Sequence, residues 1–179
     1  SEIGDVTELR KISLESNKLT GHIPHEIITL YKLEELTLSS NQLTGKIPHE
    51  IGELKSLRTL ALNSNLLTGP LPLEIEKITN LKWVYLAANQ FSGSIPAGFG
   101  NMMDMTYFNI FNNQFDGTIP PELGRLTKLQ YLNLAQNKLT GTIPAELGNL
   151  NIYRLNLEFN QLKGNIPKEL GNLSNIVHM

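Results

Sequence analysis

Cysteine is absent from this chain of 179 residues, so no disulfide bond supports its fold, and the redox compartment stays open. Long apolar runs are missing too: no segment reaches the roughly 18 consecutive apolar residues that a membrane-spanning helix needs. The net charge is only −2 and Lys and Arg form no cluster, which argues against a nucleic-acid-binding surface. No glycine-rich phosphate loop, nucleophile elbow or zinc-spaced cluster occurs, so we expect neither an enzyme nor a bound cofactor or metal.

What the chain does have is a repeat. Asparagine returns at intervals of 24, 24, 24, 24, 24 and 23 residues, at Asn17, Asn41, Asn65, Asn89, Asn113, Asn137 and Asn160. Each is followed four residues later by glycine, and three residues after that by proline. A fixed period of roughly 20–29 residues indicates a solenoid, in which each turn adds one structural unit to a stack.

Each turn carries signals for a strand and a short helix. In the second turn, Leu36-Thr37-Leu38 alternates apolar and polar residues, which predicts a strand with one buried face. The Ile-Pro-x-Glu unit that follows predicts a short helix with proline at its first position. Gly52 stands where that helix would end, as Gly124, Gly148 and Gly171 do in other turns. The repeated asparagine is polar among core positions, so we expect its side chain to bond backbone groups where the chain leaves the strand.

Together these residues resemble the leucine-rich repeat, in its plant-specific, receptor-like subclass. The run Leu-x-x-Leu-x-Leu-x-x-Asn-x-Leu-x-Gly-x-Ile-Pro-x-x-Leu-Gly-x-Leu is clearest at residues 33–54 and 129–150. The resemblance implies an α/β fold: a right-handed solenoid with a parallel β-sheet on the concave face, short 3₁₀ helices, and short extra strands near the Leu-Thr-Gly segment. It also implies a non-catalytic role, in which the concave face holds a protein, peptide or other ligand.

The repeat covers nearly the whole chain. We expect one domain over residues 1–179, with a partial turn at residues 1–8, seven turns from about residue 9 to 175, and a partial eighth turn at residues 176–179. Neither end carries a capping element, which predicts a piece of a longer protein, or ends that associate with other copies. One residue is missing just before the seventh strand. This fits a tolerated loop deletion or a local change in curvature.

The turns differ most at the outward positions of their strands. Side chains between the buried leucines point away from the core, and in the first three turns they are small or polar. The fourth to seventh turns carry aromatic, amide and arginine side chains at Trp83, Tyr85, Tyr107, Asn109, Phe111, Tyr131, Asn133, Arg154, Asn156 and Phe159. Because Trp, Tyr and Arg dominate binding energy at interfaces, we expect these residues to bind a protein or peptide, with the asparagines bonding ligand backbone or hydroxyl groups.

Other interpretations of this surface stay open. Aromatic rings on neighbouring strands also stabilise a sheet by pairing with one another. The same aromatic and amide side chains could hold a carbohydrate, since sugars stack on aromatic rings. A third interpretation is a structural or adhesion spacer within a longer repeat array, with no discrete ligand.

Three further patterns bear on metal binding and location. His25 and His49 share a register and each precedes a glutamate, but both fall on the predicted convex side, so we interpret them as solvated residues. Asn172-Leu173-Ser174 is the one N-glycosylation acceptor pattern. The family resemblance favours an extracellular or cell-surface location. The missing cysteine caps and the single acceptor leave an intracellular or microbial origin open.

Overall fold

The computed structural model describes residues 6–179, apart from the side chain of Ile28. The expected partial turn at residues 1–8 therefore lies mostly outside the described residues. In the described part, seven parallel strands form one sheet in chain order. These strands are Lys11–Ser13, Glu35–Thr37, Thr59–Ala61, Trp83–Tyr85, Tyr107–Asn109, Tyr131–Asn133 and Arg154–Asn156. We call this the seven-stranded sheet; it corresponds to the predicted concave face.

Two other layers complete each turn. A second parallel sheet runs along the Leu-Thr-Gly segments, through the strands Thr20–Gly21, Gln42–Gly45, Leu66–Gly69, Gln90–Ser94 and Gln114–Asp116. On the remaining side lie short 3₁₀ helices at His25–Thr29, His49–Glu53, Leu73–Lys77, Ala97–Asn101, Pro121–Arg125, Ala145–Asn149 and Lys168–Asn172. Both features match the sequence-based expectation for a leucine-rich-repeat solenoid. Within residues 6–179, no helix is long and apolar enough to cross a membrane.

A single apolar core runs down the middle of the coil. The inward residues of successive strands are fully buried, as at Leu60, Val84, Phe108 and Leu132. Because each turn shields its apolar side chains only by stacking on the next, this core is shared between neighbouring turns rather than belonging to any one of them.

The repeated asparagines connect consecutive turns. The Oδ1 atom of Asn113 accepts from the Phe91 N–H of the preceding turn at 3.0 Å. Its Nδ2 atom donates to the Leu86 carbonyl of that turn at 3.0 Å, and to the Ile110 carbonyl of its own turn at 3.1 Å. The same pattern recurs at Asn41, Asn65, Asn89, Asn137 and Asn160. Asn17 bonds two carbonyls of its own turn, Leu14 and Glu15.

The helices begin one residue later, relative to their prolines, than the sequence predicted. Pro24 and Pro48 are N-caps in extended conformation, not first helical residues, and their carbonyls accept the first helical hydrogen bonds from Ile27 and Ile51. An N-cap residue takes this role because its carbonyl already points along the helix, while its own backbone is still extended. Pro121 is the first residue of its helix and follows the N-cap Pro120.

The glycines expected at the helix ends lie inside the helices. Gly52, Gly124, Gly148 and Gly171 are each the fourth residue of a five-residue 3₁₀ helix. A Cβ atom at Gly124 would lie 2.2 Å from the backbone carbonyl oxygen of Glu146 in the next turn. Gly52, Gly124 and Gly148 therefore allow neighbouring helices to approach closely. The prediction that the four glycines terminate the helices was wrong.

The backbone at Leu150 compensates for the residue that the seventh turn lacks. The residue after the helix has a ψ angle between 52 and 73 degrees in the other described helices, but ψ is 149 degrees at Leu150. The extended backbone bridges the gap with one residue fewer. The deletion consequently lies before the strand Arg154–Asn156, where the sequence placed it.

Candidate ligand-binding site

The seven-stranded sheet aligns the outward side chains of successive turns in columns. Trp83, Tyr107, Tyr131 and Arg154 are register partners on neighbouring strands. A second column holds Tyr85, Asn109, Asn133 and Asn156. Because the strands are parallel and about 4.8 Å apart, side chains in one column can contact each other directly.

Three tyrosines form a continuous stack across these strands. The rings of Tyr107 and Tyr131 lie 4.3 Å apart between centroids and are almost parallel, with an interplanar angle of 3°. Tyr85 lies 4.6 Å from Tyr107 on the other side, tilted by 30°. The guanidinium of Arg154 lies 6.0 Å from the centroid of Tyr131, within the range of a cation–π contact. We call Tyr85, Tyr107, Tyr131 and Arg154 the aromatic stack.

Neighbours within the stack cover the faces of its two central rings. Tyr107 lies between Tyr85 and Tyr131, and Tyr131 lies between Tyr107 and Arg154. Trp83 stands beside the stack with 39% of its surface exposed. A ligand on this surface would meet the indole ring of Trp83 and the tyrosine side chains of the stack.

Two asparagines support the tyrosine hydroxyls from below. Asn133 Nδ2 donates to the Tyr131 hydroxyl oxygen at 3.1 Å, and Asn109 Nδ2 lies 3.4 Å from that of Tyr107. Asn133 is only 7% exposed, and its Oδ1 atom accepts from the backbone N–H of Ala135 at 3.0 Å. In this geometry Asn133 has little surface left for a ligand, so its interactions are with Tyr131 and its own strand.

The hydroxyls of Tyr85 and Tyr107 are neutral at physiological pH. Burial raises the pKa of Tyr107 to about 12; the hydrogen bond from Asn109 opposes this rise, and the neighbouring Tyr131 adds to it. Burial also raises the pKa of Tyr85. Tyr85 and Tyr107 therefore contribute uncharged phenols to the stack, and the guanidinium of Arg154 lies at its other end.

A depression of about 390 Å³ lies over the stack. Its lining combines the expected residues Trp83, Tyr85, Tyr107, Tyr131 and Arg154 with five that sequence analysis missed: Thr106, Gln130, Tyr153, Val177 and His178. Four of the missed residues directly precede the outward column, and His178 extends it into the eighth turn, bridged to Arg154. The 24-residue register was the signal that could have found Tyr153, which is 49% exposed.

Five predicted residues lie outside this depression: Asn109 and Asn133, which contact the tyrosine hydroxyls, and Phe111, Asn156 and Phe159. Phe111 is half-buried, and its N–H donates to Asn109 Oδ1 at 3.0 Å. Asn156 lies in the second column of the last strand. Phe159 stands at the corner after that strand, 75% exposed and with a φ of 55 degrees, where other turns carry residues such as Ser64.

The other candidate sites hold ordinary surface groups. His25 and His49 each approach the carboxylate of the following glutamate, at 3.5 and 3.2 Å. Residues 6–179 contain no group of three or more His, Cys, Asp or Glu that could hold a metal ion. Asn172 is exposed at the end of the 3₁₀ helix Lys168–Asn172. In the first turns the sheet carries an exposed ion pair, Lys11 with Glu35 at 2.8 Å.

Comparison with protein families identifies the chain. A model described as a leucine-rich repeat region matches residues 2–137, and a single-repeat model matches residues 128–150 and 151–173. The chain is a leucine-rich repeat protein. No curated protein matches its sequence.

Solved structures similar to this leucine-rich repeat protein include plant receptors. The plant peptide hormone receptor RGFR1, in complex with RGF2, is 38% identical with a TM-score of 0.96, over 99% of this chain and 29% of the receptor chain. The Arabidopsis receptor kinase HAESA, in complex with the peptide hormone IDA and the co-receptor SERK1, is 33% identical with a TM-score of 0.95, over 99% of this chain and 30% of that one.

A bacterial protein is also similar. The Leptospira interrogans leucine-rich repeat protein is 36% identical with a TM-score of 0.81, over 99% of this chain and 44% of that one. This leucine-rich repeat protein thus spans less than half the length of these three relatives, and its repeats are of the plant receptor-like type.

Proposed function

We propose that this leucine-rich repeat protein is a non-catalytic recognition module that binds a peptide or protein segment on the concave face, in the depression over the aromatic stack. One observation carries the proposal: the depression combines the exposed indole of Trp83 with the phenol side chains of the stack and the guanidinium of Arg154. Aromatic and arginine side chains in a shared depression are the composition of binding hot spots.

The arrangement of the rings favours a peptide over a carbohydrate. Sugars stack on exposed aromatic faces, whereas the faces of Tyr107 and Tyr131 are covered by their neighbours in the stack. The tyrosine hydroxyls suit the polar groups of a peptide backbone, and Trp83 suits an apolar side chain. A carbohydrate ligand would therefore have to rely on Trp83 for stacking.

The similar receptors support the same class of function and a location outside the cell. RGFR1 was solved with RGF2, and HAESA with the peptide hormone IDA. We propose that the present chain is likewise part of an extracellular or cell-surface receptor-type protein, with the concave sheet as its binding surface. The end-to-end association of copies stays a prediction, which analytical ultracentrifugation of the chain tests.

Selection of peptides from a random library tests the proposal. A phage-displayed library is selected on the folded chain, and enriched peptides are then measured against Trp83→Ala/Tyr107→Ala. Loss of these two anchors should weaken binding at least about 30-fold, because each hot-spot residue contributes on the order of 1–2 kcal/mol or more. The melting temperature should fall only by the loss of the two ring contacts of Tyr107, since both rings are partly exposed.

A matched double variant serves as the control. Thr59→Ala/Tyr31→Ala removes a side chain from the same outward column in the third turn and an exposed tyrosine that does not line the depression. It should bind the enriched peptides as well as the unmodified chain does. Equal binding by the aromatic double variant would overturn the concave-site proposal. Competition by oligosaccharides, with no effect of added peptides, would favour the carbohydrate alternative.

A further inference from the structure

The asparagines beneath the stack fix the direction of the hydrogen bonds at its surface. Asn133 Oδ1 accepts from the Ala135 N–H, and Asn109 Oδ1 accepts from the Phe111 N–H, both at 3.0 Å. A backbone N–H needs an acceptor, and the amide nitrogen of asparagine is only a donor. These two contacts therefore decide which end of each amide is the oxygen.

The other end of each amide must then be the nitrogen, and it faces a phenol oxygen. Asn133 Nδ2 lies 3.1 Å from the Tyr131 hydroxyl oxygen, and Asn109 Nδ2 lies 3.4 Å from that of Tyr107. Because the nitrogen can only donate, each phenol oxygen accepts and keeps its own O–H proton. Besides the neighbouring Tyr131, with which the Tyr107 hydroxyl interacts, no described residue is in position to accept these protons. The order of donation runs from backbone N–H to asparagine oxygen, and from asparagine nitrogen to tyrosine oxygen.

Two neighbouring strands thus present phenol O–H groups, and the next strand presents a guanidinium, which is also only a donor. The described residues that line the depression include no aspartate or glutamate, so no carboxylate competes for these protons there. The raised pKa of Tyr107, about 12, keeps its proton in place at physiological pH.

We infer that Tyr107, Tyr131 and Arg154 form a row of donors that selects a ligand presenting acceptor oxygens, the carbonyl or carboxylate oxygens of an extended peptide segment. Asn109 and Asn133 are the positioning residues of this row: they orient the tyrosine protons and do not bind the ligand themselves. The inference rests on the proposed function and adds to it the polarity of the partner at this site.

A double-mutant cycle with a peptide enriched on the unmodified chain tests the inference. Tyr131→Phe keeps the ring but removes the donor, and should weaken binding about 3- to 10-fold, the range of one neutral hydrogen bond. Asn133→Asp keeps an acceptor for the Ala135 N–H, but its carboxylate accepts the Tyr131 proton instead of donating, so a similar loss is expected. In the Tyr131→Phe background, Asn133→Asp should cause no further loss.

Additivity in this cycle would overturn the inference, because a merely structural role of Asn133 would weaken binding in both backgrounds. If Asn133→Asp fails to fold, the parallel cycle of Tyr107→Phe with Asn109→Asp decides, since Asn109 is less buried. Unchanged binding by both phenylalanine variants would also overturn the inference, while loss of binding by Trp83→Ala/Tyr107→Ala would leave the proposed function standing. If no peptide binds the unmodified chain more tightly than that aromatic double variant, both the proposed function and this inference are wrong.

Charge distinguishes the two possible sources of the acceptor oxygen in the peptide, a carbonyl and a carboxylate. In one comparison, the aspartates and glutamates of the enriched peptide are changed to asparagine and glutamine. In the other, binding is measured at low and at high salt. Both comparisons weaken or remove the contribution of a carboxylate. A carbonyl acceptor leaves the affinity within about twofold in both comparisons, whereas a carboxylate acceptor at Arg154 loses about tenfold. Either result supports a donor row. Retention of binding by Tyr131→Phe and Arg154→Gln together would contradict it.

Discussion

Removal of one asparagine from the middle of the ladder should destabilise the fold by a predictable amount. Asn137 is 9% exposed, and its Oδ1 atom is the partner of the Phe115 N–H in the preceding turn, at 3.0 Å. Its Nδ2 atom donates to three backbone carbonyls. In Asn137→Ala these four contacts are lost, and the question is which backbone groups are left without a partner.

In Asn137→Ala the three carbonyls keep another hydrogen-bond donor, whereas the N–H of Phe115 loses its acceptor. Each of the three carbonyls bonded by Asn137 also accepts from a second donor, in Asn112, Asn113 or Asn160. The Phe115 N–H has no such second partner among the described hydrogen bonds. One orphaned buried donor costs about 1–3 kcal/mol. For a chain of this length, that lowers the melting temperature by roughly 2–4 °C per kcal/mol.

Asn17→Ala is the matched control, because it removes the same side chain from the first described turn. Asn17 is exposed and bonds only two carbonyls of its own turn, at 3.1 Å each, so its loss orphans no N–H and should cost less than about 1 kcal/mol. Urea unfolding followed by circular dichroism gives both free energies of unfolding. If Asn137→Ala is no more destabilising than Asn17→Ala, the ladder does not connect turns in the way that the hydrogen bonds suggest.

Three further predictions test the helix glycines, the seventh corner and the glycosylation site. Gly124→Ala should lower the free energy of unfolding by about 2 kcal/mol or more, because its Cβ would overlap the next turn. Gly171→Ala is the control: it has no atom within 4 Å of the added Cβ and should be neutral or slightly stabilising. Thermal melting measures both effects. Phe159→Asn should stabilise by about 1 kcal/mol in urea unfolding, since asparagine tolerates the left-handed conformation that Phe159 adopts; a loss of stability would mean that the exposed ring makes a favourable contact. Expressed in a secretory host, the chain should carry a glycan at Asn172 that a glycosidase removes and that Ser174→Ala abolishes by mass spectrometry.

The sequence predicted those parts of the fold that depend on the repeat itself. A period of 24 residues and an alternating Leu-x-Leu segment determine where a strand must lie, and the register of Trp83 with Tyr107, Tyr131 and Arg154 follows from that period. The extra strands and short helices followed from the family resemblance. These features are local or strictly periodic, so one turn is enough to predict all of them.

The sequence was less informative where contacts between turns decide the outcome. Gly124 looks like a helix terminator by position, and only the distance to the neighbouring turn reveals that it makes room for a backbone carbonyl. Asn133 looks like an exposed ligand-binding amide, and only its burial and its two hydrogen bonds show that it supports Tyr131. Tyr153 was overlooked because it directly precedes the strand, where a sequence pattern indicates a loop.

The shortened seventh turn shows how such a repeat can vary without losing its site. Removal of one residue from within a strand would exchange its inward and outward side chains, and Arg154 would then point into the core. Leu150 prevents this, because its extended backbone takes up the deletion before the strand begins. Arg154 stays opposite Tyr131, and its guanidinium remains over the ring at 6.0 Å. The position of the deletion thus preserves the one cation of the aromatic stack, which is the arrangement that a donor row at this end of the sheet requires.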